Sequence, residues 1–278
     1  MAAASRDGIA TVHRERVRLG LGDHIEASGL LPPEAIEAAA RAARTQVATA
    51  RRLGCVRVEL VVTSPGRQAA NAGELLAALR QIRGTSTRVL TAEEEGVYAY
   101  RGALASVGDL PESVAVCDVG GGSTQIVVGS RHGGPAWARS LDVGSLRLTR
   151  RAGFADPPGA DGIETARALV QPGFQSLTPP LPQAAYATGG TARALASLVG
   201  KHLGREELEV ALRILAERPS RRLAKTFDFS PARARTLAAG TVLLASARTL
   251  LGVPLVVARG GVREGVALSL LTEAAVAA

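Results

Sequence analysis

One segment restricts the possible folds more than any other. The apolar run 114–119 leads through Asp118 into three consecutive glycines and then Ser123. A nearly all-apolar run predicts a strand that is buried on both faces. Glycines let an anion approach the backbone, whose N–H groups can converge on phosphate oxygens. Because residues 124–129 resume as a strand, we expect a phosphate-binding turn between two strands, from Asp118 to Ser123.

The order of residues around this turn excludes two common phosphate motifs. No Gly-Lys-Ser/Thr follows at the spacing of a P-loop. The glycines lead into a strand and not into a helix, which does not match the dinucleotide-binding fingerprint. Asp118 ends the buried strand, where it either holds a divalent metal or a water, or caps the turn. A phosphate turn between hairpin strands is typical of the actin-like ATPase fold.

Two further glycine turns follow predicted strands. Gly189 and Gly190, with Thr191 next, open a helix whose N-terminus favours an anion. Gly260 and Gly261 precede a closing helix. Most isolated Gly-Gly pairs are explained by tight turns or close packing, so each pair is weaker evidence than the triple glycine.

The remaining elements are predicted from periodicity and from start and stop signals, and their alternation favours α/β lobes. They are a half-buried strand at 16–19, helices at 33–53 and 231–251, a helix at 71–82 capped by Asn71, and a helix opened by a Thr91/Glu94 capping box.

Composition leaves two interpretations open. The formal net charge is +8, which favours a polyanionic partner, but an arginine-rich, lysine-poor chain is also what a GC-rich genome produces. Cys55 and Cys117 are expected as small core residues, which fits a reducing compartment. Neither a signal peptide nor a membrane-length apolar run is visible, so the expected location is the cytoplasm.

Six segments together carry a family resemblance. They are residues 63–71, 92–96, 118–125, 141–149, 188–192 and 261–265. In this order they resemble the exopolyphosphatase / guanosine pentaphosphate phosphatase (Ppx/GppA) family, a branch of the actin-like ATPase superfamily. The resemblance implies a two-lobed actin-like ATPase (ribonuclease H-like) α/β fold. It places an N-terminal lobe at 1–108 with the helix 263–278, and a second lobe at 109–262.

The resemblance also implies an activity: Mg²⁺-dependent hydrolysis of the terminal phosphoanhydride bond of inorganic polyphosphate or guanosine pentaphosphate, in a cleft between the lobes. Glu95 matches the catalytic glutamate, which accepts a proton from the attacking water or orients it. Its other interpretation is a first-turn glutamate that the helix dipole favours, a role that fits Glu93 and Glu94 better. Adjacent carboxylates raise one another's pKa, as a base requires.

The other site residues are assigned in the same way. Asp118 matches the aspartate that binds Mg²⁺ or the water, and Gly121, Gly122 and Ser123 match the residues that hold the phosphate. Arg67 matches an arginine that grips phosphate, since its planar fork can bind two oxygens; otherwise it is a solvated arginine at a helix entry. We expect Gly189, Gly190 and Thr191 to bind phosphate as well.

Two departures from the family pattern are visible. Relatives begin with a strand, an Asp-x-Gly-Ser/Thr-Asn turn and a second strand, whereas residues 1–8 lead directly into what resembles the third strand, at 9–19. Either the gene start is placed too late or the chain is a truncated relative. The second departure is Gln125, where many relatives carry Glu, so a charge near the metal is lost.

Three functions compete on these grounds. The leading one is the enzyme, with polyphosphate or guanosine pentaphosphate as its partner and without nucleic acid or membrane partners. A non-catalytic polyphosphate- or alarmone-binding protein is the alternative, favoured by the missing first phosphate loop. A kinase of the same superfamily is disfavoured, because Glu95 opens a helix before the central turn. The resemblance leaves a homodimer open.

Overall fold

A computed structural model describes residues 3–5 and 8–276. Its elements in chain order are β1 (Ala3–Ser5), β2 (Gly8–Ala10), α1 (Leu21–Ser28), α2 (Pro33–Arg52), β3 (Glu59–Val62), α3 (Ser64–Gln68), α4 (Ala72–Arg80), β4 (Ser86–Val89), α5 (Ala92–Leu104), β5 (Ser113–Val119), β6 (Thr124–Ser130), β7 (Gly134–Leu141), α6 (Ser145–Arg151), α7 (Gly159–Gln175), β8 (Ala184–Thr188), α8 (Gly189–Val199), β9 (His202–Leu203), α9 (Arg205–Glu217), α10 (Ser220–Phe227), α11 (Pro231–Leu251), β10 (Leu255–Val257) and α12 (Val262–Val276). Among these described residues, none of the helices has both the length and the hydropathy that a bilayer span requires.

The chain divides into two compact units. Unit 1 combines the chain up to Glu95 with the chain from Val266 onward, and unit 2 is Gly96–Gly265. These limits differ from the predicted lobe boundaries at 108 and 262, and the predicted lobes stay a prediction. Residues 1–2, 6–7 and 277–278 of those lobes lie outside the described residues.

Unit 2 is built around one six-stranded sheet with the order β7-β6-β5-β8-β10-β9. β5 pairs antiparallel with β6, and β8 runs parallel to both β5 and β10. The apolar residues of β5 are almost fully buried, as the prediction of a central strand requires. The long apolar helix α11 also forms as predicted. It begins after Ser230, whose Oγ accepts a hydrogen bond from the Arg233 N–H at 3.3 Å.

In unit 1 the strands form two small sheets. β3 and β4 pair in parallel, and β1 and β2 pair antiparallel. α2 begins at Pro33, which suits the first helical position because its missing N–H would have no partner there. Its buried face, which includes Ile36 and Val47, joins Leu75 and Leu79 of α4 in the core of this unit.

Three local predictions had different outcomes. The capping box is confirmed: the Thr91 N–H donates to Glu94 Oε2 at 2.7 Å, and the Glu94 N–H donates to Thr91 Oγ1 at 3.0 Å. The strand predicted at 16–19 is wrong, since this segment has no regular structure and Val17 is 45% exposed. Alternation predicts a strand only where one face is buried against a partner.

The predicted capping role of Asn71 is also wrong. Asn71 stands at the N-cap position of α4, but its side chain makes no capping hydrogen bond. Instead its Oδ1 accepts from the Leu31 N–H, and its Nδ2 donates to the Leu31 carbonyl, both at 2.9 Å. A contact across forty residues therefore replaces the local one, because it satisfies two backbone groups that are otherwise buried.

Candidate functional site

The three glycine turns of unit 2 follow three neighbouring parallel strands. β5, β8 and β10 lie side by side, with Asp118 opposite Thr188 and Ala187 opposite Val257. Their carboxyl ends therefore reach the same edge of the sheet, where ligands bind in open α/β sheets. The sequence identified the three turns, and the strand order brings them together.

The first turn is held by the helix that follows β7. The Gly120 N–H donates to the Ser123 carbonyl at 3.0 Å, which leaves Gly121 and Gly122 at the tip. The carbonyl of Gly120 accepts from the Ser145 N–H, and that of Gly121 accepts from the Leu146 N–H, both at 2.9 Å. The first N–H groups of α6 thus anchor the carbonyl side of the turn.

The amide side of the turn is left for a ligand. Within the described part of the chain, no acceptor receives the N–H groups of Gly121, Gly122 or Ser123. Consecutive free amides in a tight turn form an anion-binding concavity. Gly144 completes the arrangement, because a Cβ at this position would lie 2.4 Å from the Gly121 carbonyl atoms. The sequence placed Gly144 in a family segment but gave no reason for it.

Gln125 orients the hydroxyl of the turn. Its side chain is buried, and Nε2 donates to Ser123 Oγ at 2.8 Å and to Ser140 Oγ at 3.3 Å. Because the amide occupies a lone pair of Ser123 Oγ, the hydroxyl proton of Ser123 points to another acceptor. The Gln125 amide therefore leaves the Ser123 hydroxyl able to donate a hydrogen bond, which is what binding of an anion requires.

Asp118 contacts the second turn. It is 9% exposed, and a Cβ at Gly189 would lie 2.5 Å from its Oδ1 atom. Gly189 also has φ +89°, a backbone conformation that residues with a side chain rarely adopt. Only glycine therefore lets α8 begin this close to the carboxylate.

The second turn is fixed by an arginine that the sequence did not reveal. Arg233 of α11 donates from Nη1 to Thr191 Oγ1 at 2.9 Å, and a Cβ at Gly190 would lie 2.4 Å from its Nη2. Thr191 is fully buried. The guanidinium therefore lies against the start of α8, at the turn where an anion is expected. Its position 42 residues away explains why no local signal identified it.

The third turn is tied to the second. The Thr188 hydroxyl donates to the Gly260 carbonyl. A Cβ at Gly261 would lie 2.9 Å from Thr188 Oγ1 and 4.0 Å from Glu264 Oε2. Glu264 is 7% exposed, so it adds a second buried carboxylate to unit 2 beside Asp118. It lies in a family segment but was not predicted as a site residue.

In unit 1 the structure brings Arg67 and Glu95 together. Arg67 Nη2 donates to Glu95 Oε2 at 2.7 Å, and Arg67 Nη1 donates to the Leu90 carbonyl at 2.7 Å. Burial raises the pKa of the Glu95 carboxyl above its ordinary value of 4.5, while the hydrogen bond and charge of Arg67 lower it in part. A buried carboxylate with a raised pKa is suited to act as a base.

The neighbour Glu94 has the structural role that the sequence suggested. Besides capping α5, its Oε1 atom lies 3.4 Å from Arg88 Nη1. Arg88 Nε also donates to Glu59 at 2.5 Å. Glu94 is thus part of a structural ion-pair network, whereas the hydrogen bond from Arg67 goes to Glu95.

The site residues predicted from the sequence thus fall into two groups. Unit 2 holds those of the two glycine turns, and unit 1 holds the Arg67–Glu95 pair. The cleft that the resemblance implies stays a prediction. No three His, Cys, Asp or Glu side chains of the described residues form a metal-binding group.

Comparison with known proteins gives consistent matches over nearly the whole chain. The model of the Ppx/GppA phosphatase family matches residues 1–274. Exopolyphosphatase 2 of Mycobacterium tuberculosis is 30% identical over 297 residues, which cover 97% of this chain and 92% of the relative.

Solved structures extend the likeness to the fold. The crystal structure of the Aquifex aeolicus member of the Ppx/GppA family has a TM-score of 0.83 at 27% identity, with 98% of this chain and 93% of that chain covered. An exopolyphosphatase from Cytophaga hutchinsonii has a TM-score of 0.87 at 19% identity, with the same coverage of 98% and 93%. The predicted α/β class and actin-like ATPase fold are confirmed.

Proposed function

This chain is a phosphohydrolase of the Ppx/GppA phosphatase family, and we propose that it hydrolyses the terminal phosphoanhydride bond of inorganic polyphosphate. The turn from Asp118 to Ser123 carries the proposal, because the N–H groups of Gly121, Gly122 and Ser123 have no acceptor among the described residues, while α6 binds the carbonyls of Gly120 and Gly121. The turn alone does not identify the anion. The name of the relative exopolyphosphatase 2 supports polyphosphate as that anion.

In the proposed reaction Glu95 is the base. Water attacks the terminal phosphorus, the bond from phosphorus to the bridging oxygen breaks, and the water proton passes to the Glu95 carboxylate. Burial raises the pKa of Glu95, which makes the carboxylate a stronger proton acceptor. Arg67 limits this rise, since its charge and hydrogen bond lower the pKa of Glu95 against the effect of burial.

The glycine turn binds the phosphoryl group. The amides of Gly121 and Gly122 and the Ser123 amide and hydroxyl donate hydrogen bonds to its oxygens. Phosphoryl transfer needs little covalent chemistry from a protein, so positioning and charge stabilisation dominate. Arg233 and the N-terminus of α8 add positive charge at the end of the neighbouring strand β8.

We further propose Mg²⁺ as the cofactor, with Asp118 as the residue that holds it. The ion would neutralise charge on the phosphate oxygens. Asp118 lies close to the second turn, and the buried Glu264 is the other carboxylate of unit 2 that can contribute.

Phosphate release from long-chain polyphosphate by the purified protein tests the proposal, with Glu95→Gln as the matched variant. The amide is isosteric and still accepts a hydrogen bond from Arg67, so the fold should persist. Loss of a general base lowers the rate by about 10²–10⁴-fold. Full activity of Glu95→Gln, or no phosphate release by the wild type under any metal condition, contradicts the proposal.

The same assay separates the alternatives. Guanosine pentaphosphate presents the same terminal phosphoanhydride group, so the two substrates are compared by kcat/KM in parallel reactions. Binding of polyphosphate without phosphate release would identify the non-catalytic binding protein instead.

A further inference from the structure

Unit 2 carries a group of exposed cations that the proposed site does not use. We call it the basic surface, and it consists of Arg213, Arg218, Arg221, Arg222, Lys225 and Arg235. All six are exposed, and none of their side chains has a hydrogen bond or ion pair with another residue of the described chain. The only acidic residues between 213 and 235 are Glu217 and Asp228.

Two arginines elsewhere in unit 2 are paired with acidic neighbours. Arg167 binds Glu209 at 2.7 Å, and the buried Arg147 pairs with Asp142. The basic surface lacks such partners, so its like charges repel one another and do not contribute to stability. A polyanion that bridges them would remove this repulsion and release its own counterions.

The basic surface approaches the helix that holds the first glycine turn. Arg218 and Arg235 line a cavity of about 90 Å³, together with Thr149 of α6. α6 begins at Ser145, which binds the first glycine turn, and four residues of helix span only about 6 Å.

We propose that the basic surface binds the internal phosphates of a polyphosphate chain whose terminal phosphate occupies the glycine turn. The inference rests on the proposed function, because it requires polyphosphate as the substrate. A long linear polyanion can contact several of these exposed cations at once, whereas a single phosphate or a mononucleotide contacts only the turn. The surface therefore favours long chains over short ones.

The test compares long-chain polyphosphate with tripolyphosphate. Arg221, Arg222 and Lys225 are changed together to Gln, which removes the charge but keeps a good helix former. The matched control changes Arg44, Arg52 and Arg80, three exposed basic residues of helices α2 and α4, to Gln. Affinity is measured by fluorescence anisotropy of end-labelled polyphosphate, and KM and kcat are measured for both substrates.

We expect the KM for long-chain polyphosphate to rise about tenfold, with the slope of log affinity against log salt flatter by about 2, since each lost contact removes ~0.7. The kinetics with tripolyphosphate and those of the control variant should not change. Unchanged KM for the long chain, or equal losses for both substrates, overturns the inference. The inference is also overturned if the protein binds single-stranded RNA while the three substitutions leave its binding of polyphosphate unchanged. If the wild type neither binds nor hydrolyses polyphosphate, the proposed function itself fails.

Discussion

The functional groups of the predicted site differ in kind between the two units. In unit 2 the predicted site consists mainly of backbone groups, which two glycine turns expose at the ends of the adjacent parallel strands β5 and β8. In unit 1 it consists of ionised side chains, with Glu95 buried and bound by Arg67. Backbone sites depend on the absence of side chains, whereas the side-chain site depends on the balance between burial and charge. The two therefore respond to different substitutions.

The largest effect is expected where a side chain enters the backbone site. In Gly144→Ala the new Cβ would overlap the backbone of Gly121 and Gly122, which has no flexible end to move. Overpacking of this kind costs about 1–3 kcal/mol of stability. Displacement of the turn by about 1 Å lowers phosphate release by ~10²-fold.

Gly108→Ala is the matched control for this change, since nothing lies within 4 Å of its added Cβ. Urea unfolding and phosphate-release assays check both variants. Equal stability and activity of the two variants would mean that the contact between α6 and the glycine turn has no influence on the site.

A smaller effect is expected when a charge is placed beside the backbone site. In Gln125→Glu the amide donor to Ser123 becomes an acceptor, and a negative charge lies next to the bound anion. Repulsion of about 1–4 kcal/mol between nearby charges weakens binding of tripolyphosphate without metal by about tenfold or more. The added carboxylate should also lower the Mg²⁺ concentration needed for half-maximal activity.

Calorimetry in EDTA and a Mg²⁺ titration of activity measure the two effects of Gln125→Glu. Gln125→Asn serves as the neutral control, because it keeps an amide at this position. Metal-free affinity that is the same in Gln125→Glu and wild type would show that the Gln125–Ser123 hydrogen bond does not tune the anion site.

The smallest effect concerns the helix start that positions Glu95. Thr91→Ala removes the hydroxyl that accepts from the Glu94 N–H, and loss of such a cap costs about 0.5–2 kcal/mol. Thr45→Ala, in the exposed interior of α2, should be close to neutral because Ala is the better helix former. Urea unfolding measures both, and a destabilisation by Thr45→Ala as large as that by Thr91→Ala would reject the cap as the cause.

The sequence predicted contacts between chain neighbours better than contacts that the fold creates. Three glycine turns and the Thr91/Glu94 capping box depend on neighbours in the chain, so local patterns identified them. Arg233, Glu264 and the Asn71–Leu31 contact depend on residues brought together by the fold, and no local pattern marks them. The helices α9 and α10 have no counterpart among the predicted elements.

Two results of the structure could not be obtained from sequence patterns at all. The parallel order of β5, β8 and β10 places three separate turns on one edge, and strand order is not encoded in periodicity. The desolvation of Glu95 depends on how closely its surroundings are packed, so the direction of its pKa shift follows only from coordinates.

The pKa shift of Glu95 also has a consequence for stability. The folded pKa is raised above the unfolded value, so the folded state binds more protons, and stability falls as the pH rises from 4.5 through the folded pKa. Glu95→Gln does not ionise and should therefore be at least as stable as wild type at neutral pH. Thermal unfolding at several pH values measures this, and a marked loss of stability in Glu95→Gln at neutral pH would contradict it.

The most direct test of the Arg67–Glu95 pair as the catalytic base is the pH dependence of kcat/KM for polyphosphate. The acid limb reports the pKa of the base in the free enzyme. Because Arg67 lowers the pKa of Glu95, Arg67→Gln should move the acid limb to higher pH, whereas Arg88→Gln, a change in the structural network, should not. An acid limb that stays in place in Arg67→Gln, or lies in the ordinary range of an exposed glutamate in wild type, would contradict the assignment of Glu95 as the base.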